Sequence, residues 1–172
     1  MGFREGDMSA GAEQWYFAYG SNLWIDQMIA RTGPADRGRP VSRIARLANY
    51  RLVFQSLSSD GQSFANIIRA EEEEVLGAAY CCAPGALAKL DGYERGYERR
   101  PVVVTDERGQ RLPAVAYVML AERGAKFGRP CSQYLWKIVT GARQHGLPEA
   151  YIATMVARAD FGNRPPGTGS AC

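Results

Sequence analysis

Apolar and polar residues group along the chain in short runs of changing period. Trp15-Tyr16-Phe17-Ala18-Tyr19 is a continuous aromatic and apolar stretch closed by Gly20-Ser21-Asn22, which predicts a buried strand entering a tight turn. Leu23, Met28 and Ile29 then recur at helical spacing as far as Thr32-Gly33-Pro34, a helix stop. Residues 34–43 are rich in Pro, Gly and Arg and predict a loop. Tyr50 to Gln55 alternates as a strand, Ser56 to Gln62 is turn material around Asp60-Gly61, and Ala65 to Ile68 resumes as a strand. The acidic run Glu71 to Glu74 reads as a solvated turn, followed by a buried strand from Val75 to Cys82. Pro84 to Leu90 predicts a short helix with proline in its first turn. Val102–Val104 and Ala114–Val118 predict two strands around the turn Asp106 to Gly109. Ser132 is placed to cap a helix carrying Leu135, Ile138, Val139 and Ala142 that ends at His145-Gly146-Leu147-Pro148. Pro148 opens a last helix through about Ala159. Mostly non-local strands with a few helices predict an α+β fold, with a small closed barrel as one solution.

Composition narrows this little. The 172 residues suit one domain, expected at 14–161 between a polar leader, 1–13, and a Gly/Pro-rich flexible tail, 162–172. Hydrophobic residues make up 46% and charged residues 23%, as in ordinary globular chains. No apolar run approaches the roughly 20 residues needed to span a bilayer, and Met1 to Glu13 carries no signal-peptide core. The expected setting is cytoplasmic, as a monomer or homodimer without a membrane partner. Net charge is +3, and the arginines are scattered without a basic block, which argues against nucleic acid. Cys81, Cys82, Cys131 and Cys172 form no C-x-x-C pair, so zinc and redox motifs are not indicated.

Three places hold candidate chemistry. His145 is the only histidine, and its position just before Gly146 suits the negative end of a helix dipole better than catalysis. One histidine without neighbouring cysteines or paired carboxylates gives no metal ligand set. The turn Gly20-Ser21-Asn22-Leu23, between a strand and a helix, is either a plain N-cap or a ready anion site built from free N–H groups. The segment Leu90 to Arg100 crowds carboxylates, tyrosines and arginines, including Glu94, Tyr97 and Glu98. It is either a salt-bridged surface loop or a functional one.

Taken together in this order, the segments resemble a known family. Tyr16-Phe17-Ala18-Tyr19-Gly20-Ser21-Asn22-Leu23 resembles the N-terminal signature of the γ-glutamyl cyclotransferase family within the AIG2-like superfamily. Ala65-Asn66-Ile67, Val75 to Tyr80, Leu90-Asp91 with Glu94, Tyr97-x-Arg99, Pro130 to Leu135, and Gly146-Leu147-Pro148 with Tyr151-Ile152 continue the likeness over about residues 15–160. One departure is local: Arg95 follows the glutamate where the family usually has glycine, and Gly96-Tyr97 come at once.

The resemblance implies a γ-glutamyl cyclotransferase-like fold, a small mixed barrel-like sheet with flanking helices. It implies Glu94 as catalytic acid/base, the turn Tyr19, Gly20, Ser21, Asn22 and Leu23 around a γ-glutamyl group, and Tyr97 and Tyr134 lining the pocket. The implied reaction releases 5-oxoproline from a small γ-glutamyl amide without a cofactor. Asn22 matches the branch acting on γ-glutamyl amino acids. Removal of a γ-glutamyl group from an amine, and a non-catalytic binding module of the same fold, stay open as alternatives.

Overall fold

A computed structural model of the chain describes residues 14–33, 40–56, 61–121 and 126–160. The leader 1–13, the tail 162–172, and much of the loops predicted at 34–43 and 56–62 lie outside these residues. In chain order the elements are β1 (Gln14–Ala18), a short 3₁₀ turn (Ser21–Leu23), α1 (Ile25–Thr32), β2 (Ser42–Ser56) and β3 (Ser63–Cys82). They continue with α2 (Ala86–Asp91), β4 (Tyr97–Asp106), β5 (Arg111–Met119), α3 (Ser132–His145) and α4 (Glu149–Asp160). The strands close into a barrel in the order β1-β3-β2-β4-β5, so the α+β expectation holds in its barrel form.

Long hairpins and short seams build the barrel. β2 pairs with β3 along nearly their full lengths, and β4 pairs with β5 from Tyr97↔Met119 to Thr105↔Arg111. Closure rests on two short contacts: Ala45 and Arg46 of β2 against Asp106 and Thr105 of β4, and Trp15 and Tyr16 of β1 parallel to Ala114 and Val115 of β5. β1 lies between β3 and β5, and Phe17 and Ala18 are fully buried, which explains its unbroken apolar sequence. Gly77 of β3 is required there, because a Cβ would overlap the Ala18 carbonyl and the Phe17 ring. α3 and α4 pack on the barrel through Ile138 and Ala142 and through Ile152, Met155 and Ala159, at helical spacing.

Five expectations are corrected. The acids Glu71 to Glu74 form no turn: β3 runs straight through them. The strand absorbs the run with a bulge, where Asn49 and Glu72 take left-handed φ of 61° and 62° and the Glu72 amide donates to Asn49 Oδ1. Glu73 is held by Arg158 and Arg51, which removes the need for a solvated turn. β2 also begins at Ser42, inside the predicted loop and well before Tyr50, since its first half pairs with Leu76 to Tyr80. Tyr97 to Arg100 belong to β4 rather than to a loop. Ser132 is the first helical residue of α3, not its cap; that position falls to Cys131, which makes no side-chain capping bond. Pro84 likewise lies in the turn before α2, whose N-cap is Gly85 with left-handed φ of 85°.

Candidate active site

β1 ends at Ala18 and delivers Tyr19 and the 3₁₀ turn to one end of the barrel. Within the turn the Leu23 amide donates to the Gly20 carbonyl at 3.0 Å and the Trp24 amide to Ser21 at 3.1 Å. The Ser21 and Asn22 amides open the helical turn and meet no acceptor among the described residues. Gly20 is needed for contact across the site: a Cβ there would sit 3.2 Å from Ala65 Cβ and 3.4 Å from the Tyr134 hydroxyl.

The turn is gripped from behind through its main chain. The Tyr80 hydroxyl lies 2.9 Å from the Asn22 carbonyl and 3.3 Å from that of Leu23. His145 Nε2 lies 3.0 Å from the Leu23 carbonyl and 2.9 Å from the Tyr80 hydroxyl. Nδ1 of the same ring meets the Ser42 hydroxyl at 3.1 Å. One residue earlier on α3, Gln144 Oε1 accepts the Ile25 amide at 2.9 Å. At Gly141 the helix backbone presses on Leu23 and Trp24 so closely that a Cβ would overlap their main-chain atoms. His145 is therefore structural, at the helix end where the sequence places it, and it is absent from the cleft lining.

Glu94 arrives from the other side. The Gly92, Tyr93 and Glu94 amides fold back on the end of α2, donating to Lys89 and Leu90, and Leu90 is fully buried. Lys89 Nζ donates to the Thr32 carbonyl, tying α2 to α1. Gly96, with left-handed φ of 87°, then turns the chain into β4. Arg95 points to solvent, so the residue that departs from the family's usual glycine stays out of the cleft.

Asn22 joins the two halves. Its Nδ2 donates to Glu94 Oε1 at 2.8 Å and to the Tyr16 hydroxyl at 2.9 Å, while Oδ1 accepts from Arg31 at 2.9 Å and Gln27 at 3.2 Å. A carboxylate only accepts and a guanidinium only donates, so these partners fix which way the buried carboxamide faces. Arg31 NH1 also lies 3.4 Å from Glu94 Oε1, and its guanidinium stacks 4.9 Å above the exposed Tyr93 ring.

The resulting cleft is open to solvent and lined by the turn, Glu94, Ala65 and five tyrosines: 16, 19, 97, 117 and 134. Most of the phenols are spent on the walls. Tyr97 donates to the Ala65 carbonyl at 2.7 Å, Tyr19 donates to the Tyr117 carbonyl, and Tyr134 accepts the Ala65 amide at 3.1 Å. Tyr16 accepts from Asn22, which leaves its own proton without an acceptor among the described residues. Burial is the main cause holding Tyr16, Tyr19 and Tyr97 well above the usual phenol range and pushing Tyr134 up to about 12, so all four are neutral donors.

Burial also raises Glu94 above the ordinary 4.5, against the opposing pull of Arg31 and of the Asn22 hydrogen bond. Its side chain is 15% exposed, enough to meet a ligand. Glu98 is directed elsewhere: it pairs with Arg100 outside the cleft. Asp91 is occupied by Arg99, at 2.8 and 2.5 Å, and by the Tyr117 hydroxyl. The described residues contain no cluster able to hold a metal ion. Cys82 is buried, and desolvation with the neighbouring Cys81 pushes its thiol up to about 12.

The chain has relatives among known proteins. The AIG2-like family model matches residues 73–155. The human protein named Gamma-glutamylcyclotransferase is 30% identical over 145 residues, covering 79% of this chain and 73% of the relative. The chain belongs to the γ-glutamylcyclotransferase family. The mouse γ-glutamylcyclotransferase is 28% identical over the same shares of both sequences. A solved structure of a γ-glutamyl cyclotransferase superposes with a TM-score of 0.71 at 26% identity, covering 94% of each chain.

Among the residues predicted for the cyclotransferase site, Tyr19, Gly20, Ser21, Asn22, Glu94, Tyr97 and Tyr134 meet around one cleft. Leu23 does not line it: its side chain is in the core, its amide is spent on Gly20, and its carbonyl on His145. Arg31, Gln27 and the free donor of Tyr16 were not indicated by sequence. Tyr16 sits inside the quoted signature, but only its contact with Asn22 separates it from the other aromatics of β1. Arg31 had no signal beyond being one arginine near a helix stop.

Proposed function

We propose that the protein converts γ-glutamyl amino acids to 5-oxoproline and a free amino acid. The observation that carries this reading is a single partly buried carboxylate, Glu94, held by Asn22 against a turn with two free amides. In such a substrate the α-amine is itself the nucleophile. Its attack on the γ-carbonyl forms the lactam C–N bond, and the amide C–N bond to the leaving amine breaks. No water is consumed and no enzyme nucleophile is needed. Folding the substrate back on itself supplies proximity, which is worth roughly 7–11 kcal/mol in well-oriented intramolecular reactions.

The α-ammonium loses two protons on becoming the lactam N–H, one before attack and one after; ionised Glu94 takes each in turn and passes it to the departing nitrogen, which leaves as an ammonium. A carboxyl raised toward neutrality serves both steps better than one of ordinary acidity, which is the use made here of its burial. Oxyanion and substrate carboxylate are assigned to the Ser21 and Asn22 amides and to the spare Tyr16 proton. The enclosing tyrosines Tyr16, Tyr19, Tyr97 and Tyr134 are neutral and do not compete for the ammonium.

The test is 5-oxoproline release from a panel of γ-glutamyl amino acids, glutathione and γ-glutamyl amines. The wild-type chain should turn over γ-glutamyl amino acids, and Glu94→Gln should fold normally while losing at least about 100-fold in rate, the scale of a general acid/base. Undiminished cyclisation by Glu94→Gln would reject the assignment.

A further inference from the structure

We infer that Arg31 binds a carboxylate on the departing amine, and so makes the site selective for γ-glutamyl amino acids over γ-glutamyl amines; the inference rests on the cyclotransferase reading above. Arg31 lies in the last turn of α1 with its side chain 22% exposed. Its NH1 is engaged by Asn22 Oδ1 and Glu94 Oε1, while Nε and NH2 have no hydrogen-bond partner among the described residues. Those are three N–H donors on a planar fork, the arrangement that pairs with carboxylates through two parallel bonds.

Position selects which carboxylate. The guanidinium touches the Asn22–Glu94 pair and the exposed ring of Tyr93; it does not line the cleft itself but borders it at the glutamate. The γ-glutamyl half is assigned to the deeper cleft, against the turn amides and the tyrosines. The leaving nitrogen must reach Glu94 to be protonated, so whatever is bonded to that nitrogen extends toward Arg31. In an amino acid the carboxyl carbon is two bonds from the nitrogen, about 2.5 Å on. Arg31 NH1 is 3.4 Å from Glu94 Oε1, on the same carboxylate as the oxygen left free to protonate that nitrogen, so a carboxylate so placed falls within ion-pair reach.

Charge balance points the same way. Among the described residues Glu94 is the one acidic group paired with Arg31, and it becomes neutral each time it holds the shuttled proton. A substrate carboxylate then supplies the missing counter-charge. A simple amine supplies none.

The experiment compares γ-glutamyl-alanine with γ-glutamyl-alaninamide, which differ in this charge alone. In the Glu94→Gln background, where ligand is held without turnover, calorimetry should find the free acid bound at least about tenfold tighter, the scale of a hydrogen bond to a charged group. Adding Arg31→Gln should bring the two affinities within about twofold, and wild-type KM values should show the same preference. Equal weakening of both ligands by Arg31→Gln would overturn the inference and leave the cyclotransferase reading intact. Absence of 5-oxoproline from either compound with the wild-type chain would remove the reading and the inference together. Should Arg31→Gln fail to fold, Arg31→Lys replaces it: without the fork it should cut the preference at least about threefold, and an unchanged preference counts against the inference.

Discussion

The Asn22 carboxamide is the single group whose loss reaches most of the site, since each of its donors and acceptors is in use. Asn22→Ala removes a hydrogen bond that favours the ionised form of Glu94, so the carboxyl should titrate still higher. Because proton abstraction needs the charged form, the rate should rise with pH through a range above the ordinary glutamate value. In Asn22→Ala that rise should move further up, with kcat lower by about tenfold at neutral pH; the pH profile of kcat/KM reads both. The same raised acidity has a stability consequence. The folded state binds the Glu94 proton more tightly than the unfolded state, so folding is favoured below the ordinary value and loses stability as pH climbs through the raised one. Glu94→Gln should therefore unfold at neutral pH at a temperature no lower than wild type. The turn and the glutamate were legible because their types and order are distinctive. Arg31 was not, because only the rotation of α1 and the docking of α2 decide that this arginine faces Glu94.

α3 holds the site turn with one helical face, Gly141, Gln144 and His145, at spacings of three and four. Gly141→Ala forces a methyl against main-chain atoms that cannot yield, and should cost about 1–3 kcal/mol in urea unfolding. Its rate loss should exceed that of a solvent-facing control such as Gln133→Ala. His145→Gln supplies a donor for the Leu23 carbonyl and should retain more activity than His145→Ala. The helix itself was legible from its apolar spacing and from the Gly146 stop. Its task was not, since a glycine inside a helix reads only as a weakness until its neighbour is known. A similar limit hid the strand at Glu71 to Glu74. Four acids signal solvent, and only the pairing of β3 with β2 and the ion pairs of Glu73 let the strand continue.

The barrel is uneven, with long pairing inside the hairpins and brief pairing at the two seams. Native-state hydrogen exchange should accordingly find the amides that bridge β2 and β4 less protected than those between β2 and β3. Gly77→Ala, which drives a methyl into the Ala18 carbonyl beside the β1–β5 seam, should destabilise the fold by about 1–3 kcal/mol. The α+β class was readable from the succession of strands and helices, whereas closure was not, because it rests on a few pairings between distant segments. The hold on the site turn is of another kind. Tyr80, Gln144 and His145 grasp carbonyls and an amide, atoms that every residue possesses, and leave the Ser21 and Asn22 side chains out of the bargain. Such a socket keeps its shape whatever is plugged into it. Substitutions at Ser21 can then be sampled, in evolution or in the laboratory, on a chain that still folds, and new substrate preferences become reachable without rebuilding the scaffold.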